Sequence, residues 1–298
     1  MRDNLRIFLL PLGSYIVIAV WCVFWIGGAA AIFSIGNPEP REDGFPFLTE
    51  IKWTSTTRYA FFYDVFGLFW VTAFIIGTTQ FIIGCSACLW YFEKESPSKG
   101  QGTVGKAFWW AYRYHLGSVA FGSFLIAVCQ MIRFLFEYYR KKMGVAKESK
   151  FVKVMLCITR YLLWIMEKCV KFITKNAYIQ VALTNNHFCK SAWHGFVLIL
   201  KNVTKFGATK SIGGIFMFFG GVSIAVTNMC IGYAVITHAP RYAVVSSPLP
   251  SVICIGVISV LIAYPFLSIF SFSSDAILQS FLLDEELRFQ GKARPEYV

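Results

Sequence analysis

The stretch YRYHLGSVAFGSFLIAVCQ (Tyr112–Gln130) opens with Arg113 and His115 and then runs apolar almost to its end. Ala120, Ser123 and Ala127 recur in it at steps of three and four, with Gly117 and Gly122 beside them. On a helix this spacing makes one flat stripe of small side chains. A helix in water has no need of such a stripe. Between lipid tails helices associate by close van der Waals approach, which small residues permit. The stretch therefore predicts a helix packed tightly against neighbours inside a bilayer.

Composition extends that reading to the whole chain. Of 298 residues, 56% are hydrophobic and 15% charged, against about 25% charged in soluble domains, and the mean hydropathy is +0.57. No cleavable signal peptide is evident, because the run Ile7–Phe33 is far longer than an h-region of about 7–15 residues and reads as a spanning helix. The nine cysteines lie almost entirely inside apolar runs, where Cys behaves as a small hydrophobe. Cys85 and Cys88 form a C-x-x-C in the middle of one such run, without the strand or charged neighbours of a redox motif. The four histidines (115, 187, 194 and 238) show no i,i+4 pairing, so neither a metal nor another cofactor is expected. The net charge of +12 collects in loops and juxtamembrane turns, where it sets orientation and meets anionic headgroups. The lipid bilayer is the expected partner of that charge, and nucleic acid is not.

A span needs about 20 apolar residues, and five runs supply them: 7–33, 59–92, 116–138, 212–236 and 252–283. The second and fifth exceed one bilayer width and must tilt, kink or project. Pro265, in AYPFLS, stands inside the fifth, where it removes a backbone hydrogen bond. The segment 151–175 is ambiguous. Its Lys153, Arg160, Glu167 and Lys171 fall on one helical face, which suits an amphipathic helix lying at the interface or a spanning helix whose polar stripe faces protein or water. Taken alone, the segment favours the interfacial form. With five crossings the fourteen basic residues between Arg140 and Lys210 lie on one side, which would be cytosolic. With six crossings the acidic loop holding Glu39, Glu42, Asp43 and Glu50 is external, and Arg140 to Lys150 also faces outward, against the positive-inside rule. The sequon Asn202-Val203-Thr204 is cytosolic and unused in both arrangements.

Four segments in this order, FWVTAFIIGTTQ (69–80), RYHLGSVAFGS (113–123), KNAYIQVALTNNHFCKSA (175–192) and SIFSFSSDAI (268–277), resemble the choline transporter-like family of solute carriers. The resemblance covers nearly the whole chain. It implies ten spanning helices with both termini cytosolic, of which this chain corresponds to the later six. That even parity selects six crossings over five: an all-α, polytopic membrane helix bundle forming a single transmembrane domain over 1–298, with spans at 7–33, 59–92, 116–138, 151–175, 212–236 and 252–283 and a cytosolic tail at 284–298. The family's usual first half has no counterpart here, so that half, or other membrane subunits, joins the expected partners.

Choline is a quaternary ammonium without N–H donors, so its site needs aromatic faces and one nearby polar or acidic group. Trp70 and Tyr264 are the aromatic candidates. The resemblance aligns Trp70 with the tryptophan of a Trp-x-x-Glu pattern in some relatives, and the acidic position is Ala73 here. Gln80, polar within an apolar helix, is a further candidate for substrate contact, or for an interhelical hydrogen bond. Asp275 is the only carboxylate well inside the fifth run and reads as a counter-charge or proton-coupling site, unless the helix has left the bilayer by then. Arg113 and His115, with Asn176, Tyr178 and Asn185, are expected on the same cytosolic side, as an inner gate in which His115 titrates near neutral pH or as a fixed hydrogen-bonded elbow. Arg133 and Glu137 are spaced to form an i,i+4 pair, and Asn228 and Tyr233 either line a pathway or bond a neighbouring helix.

No Ser-His-Asp arrangement, paired intramembrane carboxylates or phosphate-cradling glycine loop is present, so an enzyme is not expected. The expected function is alternating-access transport of choline or a related small organic cation in a plasma or organellar membrane, with the C-terminus cytosolic. The alternative is a non-transporting membrane subunit, a truncated relative packed within a larger complex.

Overall fold

The computed structural model describes residues 2–35, 37–40, 49–52, 54–93, 100–142, 150–238 and 247–289. Most of the acidic loop, the connection 143–149 and the tail beyond 289 lie outside the described residues. Among the described residues there are eight helices: α1 (Arg2–Ser34), α2 (Ser55–Phe92), α3 (Thr103–Arg113), α4 (Leu116–Lys142), α5 (Lys150–Thr184), α6 (Phe188–Lys201), α7 (Val203–His238) and α8 (Leu249–Phe289). An antiparallel ribbon, β1 (Asn37–Pro40) and β2 (Thr49–Lys52), joins α1 to α2 with Asn37 opposite Lys52. This ribbon is the one addition to the all-α expectation among the described residues. Five helices, α1 from Ile7, α2, α4, α7 and α8, are long and apolar enough to cross a membrane, and the protein is a polytopic helical membrane bundle.

The stripe of small residues in α4 works as its spacing implies. Ser123 and Ala127 are fully buried, and a side chain at Gly122 would stand 2.7 Å from the Phe188 ring and the Tyr178 hydroxyl. On one flank α4 packs antiparallel to α2. The Ser123 hydroxyl donates to the Ala73 carbonyl at 3.2 Å, the Phe81 and His115 rings lie 5.1 Å apart near one end of the pair, and Phe62 meets Tyr138 at 5.3 Å near the other.

On its other flank α4 packs antiparallel to α5. The Tyr178 hydroxyl donates to the Val119 carbonyl at 3.1 Å, Arg133 pairs with Glu167 at 2.7 Å, and Glu137 pairs with Arg160 at 2.9 Å. From Val119 to Glu137 this seam runs about 27 Å at the helical rise of 1.5 Å per residue, close to the roughly 30 Å of a hydrocarbon core. The charged face of α5 is turned against α4. Arg133 and Glu137 do not form the i,i+4 pair that their spacing suggests: Arg133 reaches Glu167, and Glu137 is held by Arg140 and Arg160. An interhelical partner in a low-dielectric seam outweighs an exposed intrahelical one.

The helices α7 and α8 form a second long antiparallel pair. It extends from Lys205 and Glu285, 2.8 Å apart, through the Phe216 and Phe270 rings at 5.3 Å, to Gly232 beside Ile255. The close approach at Gly232 is possible because a Cβ there would lie 2.6 Å from Ile255. α8 runs parallel to α5, with contacts at Lys175 to Asp275 and Gln180 to Gln279. The short helices α3 and α6 share one end of the bundle with the start of α4 and the ends of α5 and α8. The β-ribbon lies at the opposite end. This first end is termed the elbow end below.

Candidate functional site

A cavity of about 720 Å³ lies where α1, α2, α4, α5 and α8 converge. Phe69, Phe172 and Tyr264 give it aromatic walls, and Thr72, Gln80 and Gln130 supply uncharged polar groups. Lys168, Lys171 and Lys175, at steps of three and four along α5, form one side. The α4/α5 seam places Lys171 opposite Cys129, midway along α4. Taking a charged group out of water is costly unless it is paired.

Two carboxylates supply that pairing. Glu167 is buried and lies 2.7 Å from Arg133 and 2.5 Å from Lys171. Asp275 is buried between Lys175, at 3.3 Å, and Lys210 of α7. The Lys175 ammonium also stands 4.7 Å from the centre of the Phe272 ring, a cation–π contact. Lys168 reaches only the Trp164 ring, at 5.6 Å, and forms no ion pair among the described residues.

Beyond Asp275 an uncharged ladder continues between α5 and α8. The Gln279 amide donates to Asn176 Oδ1 at 2.7 Å, and the Gln180 amide donates to Gln279 Oε1 at 3.0 Å. All three are buried, where an unmade hydrogen bond costs about 1–3 kcal/mol. The ladder fixes the height of α8 against α5, and with it the end of the lysine row.

A family model described as plasma-membrane choline transporter matches residues 1–286. The chain belongs to this family. Choline transporter-like protein 1 of Rattus norvegicus is 26% identical over 288 residues, covering 97% of this chain and 43% of that protein. Choline transporter-like protein 2 of Dictyostelium discoideum is 28% identical over 292 residues, 98% and 46% respectively, and that of Danio rerio 31% identical over 249 residues, 80% and 35%. The chain spans less than half the length of these relatives.

Within this choline transporter family member, the structure gathers some of the anticipated residues and separates others. Gln80 and Tyr264 line the cavity. Trp70 does not: its indole donates to the Ala120 carbonyl at 3.2 Å on the outer edge of the α2/α4 seam, and it packs edge-on to Phe124. Ala73, three residues on, does line the cavity. Asp275 sits behind the lysine row, already engaged by two ammonium groups.

The anticipated gating residues divide as well. Asn176 belongs to the α5/α8 ladder, and Tyr178 is locked into α4 through Val119 and Ser123. His115 and Asn185 line a second hollow of about 310 Å³ at the elbow end, with Trp110 and Tyr114. Arg113 points outward. Asn185 has φ +53°, a left-handed conformation that Asn tolerates better than most residues, and this permits the break between α5 and α6. Burial lowers the His115 pKa below its ordinary value because desolvation disfavours the imidazolium. Asn228 bonds back to its own helix at Ile224, and Tyr233 faces outward.

Several residues at the site went unread in the sequence. Lys175, Lys210, Gln180 and Gln279 gain their meaning from partners 65 to 103 positions away, which no local pattern reveals. Asp64 of α2, one turn before the cavity-lining Leu68, has an enclosed Oδ2 without a hydrogen-bond partner among the described residues. An acidic residue inside a predicted span was the available signal.

Proposed function

We propose that this chain forms the route of a membrane transporter for choline or a related small quaternary amine. The observation that carries the reading is the cavity of about 720 Å³ where α1, α2, α4, α5 and α8 converge, in a chain matched from residue 1 to 286 by the choline transporter family. Its aromatic walls suit an ammonium that cannot donate hydrogen bonds, with about 0.5–2 kcal/mol per cation–π contact, and Asp64, one turn from the lining residue Leu68, is a carboxylate that no basic side chain occupies among the described residues. On this reading α5 is a sixth crossing, because it accompanies α4 over the thickness of a bilayer. The elbow end and the C-terminus then face the cytosol, with Lys106, Arg113 and Lys190 among the positive charges expected there. Arg140 to Lys142 stand at the other end, so accessibility, rather than a charge count, decides orientation.

The attachment of the α7–α8 pair supports alternating access as part of this proposal. It packs along its own length and meets the other helices at the elbow half of α8: at α5 through the Lys175, Asp275 and Lys210 cluster and the glutamine ladder, and at α2 through Ile83, Cys88, Ile269 and Phe272. In this reading the pair rocks about that elbow-half attachment and opens the cavity to each side in turn. Radiolabelled choline uptake into liposomes holding the purified chain tests the reading. Uptake above empty vesicles is expected, reduced about 2–5-fold by Tyr264→Ala for a lost contact worth about 0.5–1 kcal/mol.

A second reading has its own support. Only 6% of the most apolar window is buried in α1 and likewise in α7, which leaves large faces for lipid or for further helices. In that case the chain is a non-transporting subunit packed against other membrane proteins. Absence of uptake by well-folded protein, with co-purification of a stoichiometric partner, selects it.

A further inference from the structure

Charge around the cavity is out of balance. Five cationic side chains, Arg133, Lys168, Lys171, Lys175 and Lys210, stand against three carboxylates: Glu167 and Asp275, which pair with four of them, and Asp64, which no basic side chain reaches among the described residues. Glu167 and Asp275 are buried and already paired, so neither serves as the counter-ion of a cation in the cavity, and Asp64 alone leaves positive charge in excess. Lys168 projects without a carboxylate partner among the described residues, and Lys171 stands halfway along α4. In a medium of low dielectric a surplus of positive charge attracts an anion. Lysine binds phosphate oxygens as a point charge, and three ammonium groups rising along α5 present such charges at successive turns. Opposite them the cavity wall is aromatic and uncharged, with Phe69, Tyr264 and Gln80.

We propose that the Lys168, Lys171 and Lys175 wall is a binding site for a phosphate group, so that the cavity takes an organic phosphate whose quaternary ammonium end rests on the aromatic wall. This rests on the transport-route reading for the ammonium end only; the phosphate end stands on the lysines themselves. The phosphate belongs either to a soluble phosphorylated amine or to the headgroup of a phospholipid entering from the side.

The test is equilibrium binding of radiolabelled phosphocholine to the full chain in phospholipid-free maltoside micelles, with choline, inorganic phosphate and phosphatidic acid as competitors. Phosphocholine is expected to bind at least about tenfold more tightly than choline, and inorganic phosphate to compete. Lys168→Gln, which breaks no ion pair, is expected to erase most of that advantage, while Lys190→Gln on exposed α6 leaves it intact. Displacement of phosphocholine by stoichiometric phosphatidic acid assigns the site to a lipid headgroup, and its failure to displace assigns it to a soluble ester. Equal or tighter binding of choline, no binding of any phosphate compound, or an unchanged preference in Lys168→Gln overturns the proposal. Phosphocholine binding without choline uptake would leave this site standing and remove the bare amine as cargo. Choline uptake without any phosphate preference would do the reverse.

Discussion

Replacing Gly122 by alanine tests whether α4 and α5 meet as closely as the small-residue stripe implies. The added Cβ would lie 2.7 Å from the Phe188 ring, 2.7 Å from the Tyr178 hydroxyl and 2.9 Å from the Thr174 methyl. Tyr178 cannot swing aside cheaply, because its hydroxyl is bonded to Val119 and Ser123. Overpacking of this kind costs about 1–3 kcal/mol, and the glycine-to-alanine gain in helix stability, about 0.5–1 kcal/mol, offsets only part of it. At Gly67, mid-helix in α2, a Cβ would meet nothing within 4 Å, so Gly67→Ala keeps that gain undiminished. The two variants should differ by about 2 kcal/mol, or about 4–8 °C in melting temperature at roughly 2–4 °C per kcal/mol. Thermal unfolding of the two purified proteins in one detergent measures the gap. A Gly122→Ala protein as stable as Gly67→Ala would refute the packing argument for the α4/α5 seam.

Two other outcomes follow from the charges and the elbow. Glu167→Gln leaves Arg133 and Lys171 without a counter-charge inside the bundle, a loss of about 3–5 kcal/mol; the variant should lose its monodisperse peak in size-exclusion chromatography, and the exchange of Arg133→Glu with Glu167→Arg should restore it. Normal behaviour of the single variant would contradict the assigned pairing. Because burial lowers the His115 pKa, the unfolded chain takes up a proton before the folded one does as pH falls through about 6.5. His115 therefore contributes no pH dependence above that value and a loss of stability below it, down to the lowered folded value. Melting temperatures between pH 7.5 and 5.5 should fall more steeply for the native protein than for His115→Gln, and parallel curves would contradict the burial of this imidazole.

Five of the helices were legible as apolar runs, since length and hydropathy alone decide whether a segment suits hydrocarbon. The tight face of α4 was legible too, because a stripe of small residues means close approach whatever the partner. The environment of α5 was not. Hydropathy counts Arg160, Glu167 and Lys171 as costs, whereas in the bundle α4 supplies Glu137 and Arg133 opposite them. Pairing of this kind depends on register between helices rather than on spacing within one. The same holds for Asp275, whose two lysines arrive from α5 and α7. The residue type and sequence neighbours of Trp70 suggest a site residue, whereas helical phase turns it to the outer edge of α2 and places Ala73 and Gln80 on the cavity. The helices α3 and α6 and the β-ribbon left no comparable mark, being too short to show a span-length period.

Only if α5 crosses the membrane are its lysines and the cavity they line held within the bilayer. Single cysteines at Lys153 and His187, exposed residues near its two ends, in a chain whose nine native cysteines are replaced by alanine, can be probed in sealed vesicles with a membrane-impermeant maleimide. Labelling of one position from outside, and of the other only after permeabilisation, is the predicted result. Equal labelling of both from the same side would contradict it and return α5 to the membrane surface.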